Sequence, residues 1–319
     1  MAKKTAREVT EDKTSRIMNA VALWASFYRA NPQRFCKDYL NVNLKMFQQI
    51  LIYCMALCTN FCFIAARGLG KTFLCAIFCC WKAILYPGSL IVIASKTRNQ
   101  GSLVLKKIEQ ELVPRSPLLR SEIKDITITQ SVAKIPFRND GVIEVVTAAD
   151  TARGGRASLL IIDEYRMVDK EVLDLVLKKF LNYIRHPGYM DNPKYAHLAE
   201  RNQQMYLSSA WFEQHWSWDL CKDYFVNMFD TTKNYYCFRF PYQMSIKENL
   251  LLKSQVEDEM TESTFSDIRF RMENEALFIG TTDGGLFSFD DINKQRKIVK
   301  AFYAPNMILN SKAACQLPA

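Results

Sequence analysis

At 319 residues, with 49% hydrophobic and 24% charged side chains, the chain can form one large α/β domain with an appended lid or two modest domains, and its composition excludes a disordered or fibrous protein. The formal charge of +9 implies an anionic partner without identifying it. The polar start, Met1-Ala2-Lys3-Lys4-Thr5-Ala6-Arg7, has no apolar signal core, while the ten cysteines form no C-x-x-C pair and the three histidines are scattered; secretion, a disulfide framework and a thiolate or histidine metal centre are not expected, and a reducing cytosol is.

Residues 1–16 mix charges of both signs and read as a loose arm. A helix follows over residues 17–28, stopped at Asn31-Pro32. Asn43 is placed to cap the next helix, in which Leu44, Phe47, Leu51 and Met55 recur at helical spacing. Gln48 and Gln49 in its first turns could read the edges of an adenine or could simply face solvent. The long apolar stretch 50–66 is interrupted at Thr59-Asn60, so it reads as helix, turn and strand rather than as a membrane span.

That strand runs into Ala65-Ala66-Arg67-Gly68-Leu69-Gly70-Lys71-Thr72, a phosphate-binding loop with helical character after it. Gly68 and Gly70 let the backbone approach phosphates, Lys71 can reach their outer oxygens and the Thr72 hydroxyl can ligate magnesium. The full G-x-x-x-x-G-K-[ST] pattern would put glycine where Ala65 stands.

Residues 90–94 form a second buried strand, with Ser95-Lys96-Thr97-Arg98-Asn99-Gln100 at its ligand-binding end. A helix carrying Leu105, Ile108 and Leu112 ends near Pro114, and strands follow at 126–129, 135–137 and 142–147, with Asn139-Asp140-Gly141 as a turn. In Leu159-Leu160-Ile161-Ile162-Asp163-Glu164 four apolar residues deliver two carboxylates to the same sheet edge. Asp163 suits magnesium, and Glu164 suits a base that orients and deprotonates water. A helix through Val172, Leu173, Val176, Leu177, Phe180 and Ile184 is expected next. Another strand then ends in Ser208-Ser209-Ala210, whose hydroxyls could sense a terminal phosphate. The aromatic run from Trp211 to Phe240 reads as core and lid packing. Thr281-Thr282-Asp283-Gly284-Gly285 offers a hairpin turn, and the stretch after Ile292 carries Lys294, Arg296, Lys297, Lys300 and Lys312 with no acid, suiting either nucleic acid or a linker.

Taken in order, the phosphate loop, the Asp-Glu strand and the Ser-Ser-Ala strand resemble the ATPase domain of the large terminase subunit of tailed bacteriophages, over roughly residues 35–280. The resemblance implies an α/β P-loop NTPase of the ASCE type, a three-layer sandwich with a mostly parallel central sheet and a small lid subdomain. It divides the chain into an N-terminal arm with lid helices (1–40), the ATPase core (41–214), a lid or ATPase completion (215–280) and a basic linker (281–319).

In that family the first glycine of the loop is commonly missing and an arginine stands inside it, which gives Arg67 a catalytic and phosphate-binding role in cis. Phe47-Gln48 resembles the adenine motif, and Ser208 and Ser209 the coupling motif. Thr151-Ala152-Arg153-Gly154-Gly155-Arg156 resembles a loop that lends an arginine to the neighbouring subunit, with Arg153 preferred over Arg156. The implied cofactors are ATP and Mg2+, and the implied partners are double-stranded DNA held by its backbone, the portal protein, the small terminase subunit and further copies in a ring, in the host cytoplasm against a procapsid. Asp283, Asp290 and Asp291 span too little chain for the nuclease that usually follows, so DNA cutting is not expected of this chain.

Overall fold

The computed structural model describes residues 6–280 except 150, 151, 153, 192, 194, 195, 197 and 198. The chain divides into two compact units, 1–279 and 280–319, and of the second only Gly280 is among the described residues. The expected turn at 281–285, Asp283, Asp290, Asp291 and the basic segment after Ile292 lie outside them.

Three helices, α1 (Ala6–Ala30), α2 (Pro32–Asp38) and α3 (Met46–Leu57), precede β1 (Asn60–Ala65) and α4 (Lys71–Leu85). β2 (Leu90–Ser95), α5 (Arg98–Lys107), α6 (Pro117–Glu122), β3 (Thr127–Ile128), β4 (Ala133–Pro136) and β5 (Val142–Thr147) come next. After β6 (Leu159–Asp163), α7 (Lys170–Leu175), β7 (Gln203–Ser208), α8 (Trp216–Asn227) and β8 (Tyr235–Phe240), the unit closes with α9 (Tyr242–Lys247), α10 (Lys253–Thr261) and α11 (Asp267–Glu273).

All eight strands join one sheet in the order β3-β4-β5-β2-β6-β7-β1-β8. Across the order β5-β2-β6-β7-β1-β8 every pairing is parallel; only the β3–β4 and β4–β5 pairings are antiparallel, so β4 alone runs against the rest and turns back into β5 through the Asn139-Asp140-Gly141 corner. Side chains alternate between two cores, as the strand period of two requires. Phe61, Phe63, Ile91, Ile93, Leu159, Ile161, Met205 and Leu207 face α3, α4 and α5. Cys62, Ile64, Val92, Ala94, Leu160, Ile162 and Tyr206 face the opposite layer with Tyr165 and Tyr224. α4 lies wholly within the first core, from Leu74 to Leu85, which explains an apolar sequence with no polar face. The cysteines at 54, 58, 62, 75, 79 and 80 are buried, as expected.

The structure departs from expectation in three places. Helix α1 reaches back to Ala6 where a loose arm is expected. Its charges are compatible with a helix because opposite signs meet one turn apart, as at Asp12 and Arg16 (3.3 Å), and its far end is fastened to α4 by Trp81 Nε1 donating to the Tyr28 carbonyl at 3.0 Å. The cap of α3 is Lys45, not Asn43: the Gln48 carbonyl Oε1 accepts the Lys45 N–H at 3.0 Å. The helix expected across 172–184 stops at Leu175 and is followed by a short 3-10 turn, Leu177–Phe180, beyond which the Phe180 carbonyl accepts the Ala157 N–H at 2.7 Å instead of extending a helical ladder; Ile184 is exposed.

Candidate active site

The carboxyl ends of β1, β7 and β6 lie side by side, with β7 inserted between the strand of the phosphate loop and the strand of the two acids. Register sets the level of each: Ile64 pairs with Ser208, and Asp163 with Leu207. The residues just past each pairing, Ala65 onward, Ser208-Ser209 and Glu164, therefore converge on one edge, where ligands of open α/β sheets bind.

Gly68 and Gly70 hold φ values of 79° and 76°, a left-handed conformation that a Cβ would penalise, so both glycines are required by the turn. Gly70 caps α4, and Lys71 begins it. The Lys71 ammonium donates to the Ala65 carbonyl at 2.8 Å and stands 3.8 Å from Glu164 Oε1. Burial lowers the Lys71 pKa, and the charges of Glu164 and Asp163 oppose that shift. Thr72 occupies the first turn of α4, half-buried beside it. Gln48 is buried rather than solvated: with its carbonyl on the Lys45 N–H, its Nε2 points at the loop, 3.5 Å from where a Cβ on Gly70 would sit. Gln49 instead bonds back to the Leu44 carbonyl.

Asp163 is 7% exposed, and its pKa rises to about 6, first through burial and then through the negative charge of Glu164, with Lys71 pulling the other way. Glu164 departs from the strand with φ 48° and ψ 52°, an uncommon left-handed geometry for a side-chain-bearing residue, which turns its carboxylate toward β7. There the Ser208 hydroxyl donates to Glu164 Oε2 at 3.2 Å.

Two residues that sequence reading passed over complete the cluster. Arg166 places Nε 3.4 Å from Glu164 Oε2, donates Nη1 to the Ala210 carbonyl at 2.8 Å and lies 4.6 Å over the Trp211 ring. Its Nη2 pairs with Glu273 at the end of α11. Although burial favours protonation of Glu273, Arg166, then Arg67 and the Ser209 hydroxyl hold its pKa below the ordinary value. Arg67 itself is largely exposed and pairs through Nε with Glu273 at 3.3 Å, while its backbone N–H donates to the Glu273 carbonyl at 3.1 Å. Consecutive serines on one strand end thus touch two different acids: Ser208 the Glu164 carboxylate, Ser209 the Glu273 carboxylate. Arg166 had a visible signal, a cation two residues past the acid pair; Glu273 sits in a mixed-charge helix with no motif around it.

At the sheet edge β8 pairs with β1, and the Ala66 N–H donates to the Phe240 carbonyl at 3.0 Å. In the loop between β5 and β6, Arg153 lies outside the described residues and Arg156 is exposed. A Cβ on Gly154 would meet nothing within 4 Å, whereas one on Gly155 would come within 2.5 Å of the Phe180 ring.

The donors match what a nucleotide triphosphate needs: a glycine turn and ammonium for the phosphates, and a hydroxyl with a buried carboxylate, both hard oxygen ligands, for magnesium. The sequence model of the family described as "Terminase large subunit, T4likevirus-type, N-terminal" matches residues 62–294. No curated protein sequence matches the chain. Among solved structures, the large terminase ATPase domain of Thermus phage P74-26 aligns with a TM-score of 0.55 at 14% identity, covering 76% of this chain and 97% of that one. The large terminase of a thermophilic bacteriophage, in complex with ADP, aligns with a TM-score of 0.49 at 12% identity, covering 74% of this chain and 54% of its own. For the large terminase of bacteriophage HK97 the TM-score is 0.47, the identity 17% and the coverage 80% and 46%. No described helix is long and apolar enough to cross a membrane.

Proposed function

Since the chain belongs to the large terminase subunit family of the T4-like type, matching its N-terminal part, we propose that it is the ATPase of a packaging motor and couples Mg2+-dependent ATP hydrolysis to movement of double-stranded DNA into a procapsid. The observation that carries the reading is the convergence of Lys71, Asp163, Glu164 and Ser208 at three neighbouring strand ends. Lys71 leaves the Ala65 carbonyl to take a terminal phosphate, and the loop N–H groups with the start of α4 hold the others. Thr72 and Asp163 would hold magnesium, which neutralises charge on the transferring phosphoryl.

Glu164, fixed by Ser208 and Arg166, orients the attacking water and accepts its proton. Gln48 has an amide N–H2 and one carbonyl lone pair left for adenine. Arg67 exchanges Glu273 for phosphate when nucleotide is bound. Arg153 from an adjacent subunit would stabilise the transition state from the other side, making turnover depend on assembly. DNA is held by its phosphates, since a packaging motor must move any sequence. Portal protein, small subunit and ring formation belong to the same proposal.

The test is the ATPase rate per subunit against protein concentration for the intact chain, Glu164→Ala and Arg153→Ala, each with and without duplex DNA. A rate that climbs with concentration and collapses in both variants is expected. Turnover flat with concentration and indifferent to Arg153→Ala would remove the in-trans arginine, and no turnover under any condition would remove the motor. Binding of duplex DNA should weaken steeply with salt.

A further inference from the structure

Behind the phosphate loop, on the face of the sheet away from α4, three cysteines from three elements meet. Cys62 of β1 and Cys237 of β8 are register partners on adjacent parallel strands, and Cys221 of α8 lies over them. Their Sγ atoms all lie within 4.8 Å of one another, with Cys221 and Cys237 at 3.9 Å. Among the described residues no other group of three histidines, cysteines or acids converges this closely. Cys62 is fully buried, whereas Cys221 and Cys237 are half-buried and provide a route in. A fourth sulfur is near: Met228 Sδ accepts the Cys237 N–H at 3.5 Å.

A buried free cysteine ordinarily behaves as a small hydrophobe. Three that share one corner suit a soft cation. Metal–sulfur bonds of about 2.3 Å in tetrahedral geometry put thiolates roughly 3.8 Å apart, so one pair already has the spacing and the third sulfur must move by less than about 1 Å. Arg239 lies two residues beyond Cys237 on β8 and so on the same face of that strand, where its charge would offset part of what three thiolates gather.

We propose that Cys62, Cys221 and Cys237 form a trithiolate site for a thiophilic metal ion, with Zn2+ as the reference ligand and a fourth position open to water. Binding forms three metal–sulfur bonds and releases each thiol proton still present to solvent. The ion ties β8 and α8 to β1, the strand that ends in the phosphate loop, and so braces the sheet edge from which α9 to α11 follow. The site is independent of the nucleotide chemistry and stands whether or not the chain hydrolyses ATP.

The experiment uses the full chain, reduced and stripped of metal, titrated with Co2+ and then with Zn2+. One equivalent of Co2+ should produce thiolate-to-cobalt charge transfer in the near ultraviolet together with intense tetrahedral d–d bands, and Zn2+ should displace it. Cys221→Ser and Cys237→Ser, at half-exposed positions, should each weaken binding by about 100-fold or more, while Cys54→Ala leaves it intact. Zn2+ should raise the melting temperature of the intact chain and not that of Cys237→Ser, circular dichroism showing both folded. Absence of the charge-transfer band overturns the proposal. So does a band of equal strength in both serine variants, or a Cys221–Cys237 disulfide in anaerobically purified chain.

Discussion

At the centre of the sheet, β1, β7 and β6 bring the start of the phosphate loop, Ser208 and the Asp163-Glu164 pair together by strand register, whereas at its edge β8 leads into helices whose last residue, Glu273, reaches the same place through Arg67 and Arg166. Groups set by register cannot shift without unpairing the ladder. Groups set by ion pairs can change partner. The centre therefore suits chemistry, and the edge suits a response to what the centre has bound.

The sharpest way to break that division is to remove one acid from each region. Glu164→Gln should lower ATP turnover by about 10²- to 10⁴-fold while nucleotide still binds, read by single-turnover phosphate release and fluorescent-nucleotide titration. Glu273→Gln should cost much less turnover. Equal losses would put Glu273 in the chemistry and erase the distinction.

Next in size is the residue that joins the regions. Arg166 is largely buried between Glu164 and Glu273, so Arg166→Met should destabilise the fold by roughly 3–5 kcal/mol in urea denaturation, because two carboxylates lose their common cation. Adding Glu273→Leu should return part of that loss. A strictly additive pair would show that the two are not coupled.

A smaller effect belongs to the centre alone. The Asp163 pKa is raised to about 6 in the fold, against an ordinary value of 3.8, so the folded state binds the proton more tightly than the unfolded state does. The stability this confers is present below the ordinary value and is lost as pH rises through 6. Asp163→Asn should therefore stabilise the nucleotide-free chain by about 1–3 kcal/mol at pH 7.5, and the gain should shrink as pH falls through 6. A gain that does not vary with pH would trace it to something other than the buried charge.

The smallest expected change is at Arg67. Its pair with Glu273 leaves the guanidinium 75% exposed, so Arg67→Ala should shift unfolding by no more than about 1 kcal/mol. A larger shift would make the edge contact a structural tie and argue against a partner exchanged on nucleotide binding.

What could be read from the sequence follows the same division. Lys71, Thr72, Asp163, Glu164, Ser208 and Ser209 stand at ends of apolar strands, where local pattern and position on the sheet coincide, and strand order brings them together. Glu273 owes its place to the packing of α11 against the phosphate loop, far away in sequence, and no local pattern marks it. Gln48 shows an intermediate case. Its helix was legible, but whether its amide faced solvent or the loop depended on a cap at Lys45 that competes with the more conventional capping residue Asn43. The break after α7 was hidden for a similar reason: apolar residues keep helical spacing through Phe180, while the chain leaves the α-helix at Leu175 and the Phe180 carbonyl is taken by Ala157, distant in sequence. In α1 the mixed charges that suggested a loose arm are neighbours on a helix surface.

The left-handed backbone at Glu164 has a consequence for how such a chain changes over generations. An L-residue pays about 1–2 kcal/mol for that conformation and glycine pays almost nothing. A lineage sorted only for endurance to heat would drift to glycine at this position, and the first trait it discarded would be the carboxylate proposed to activate water.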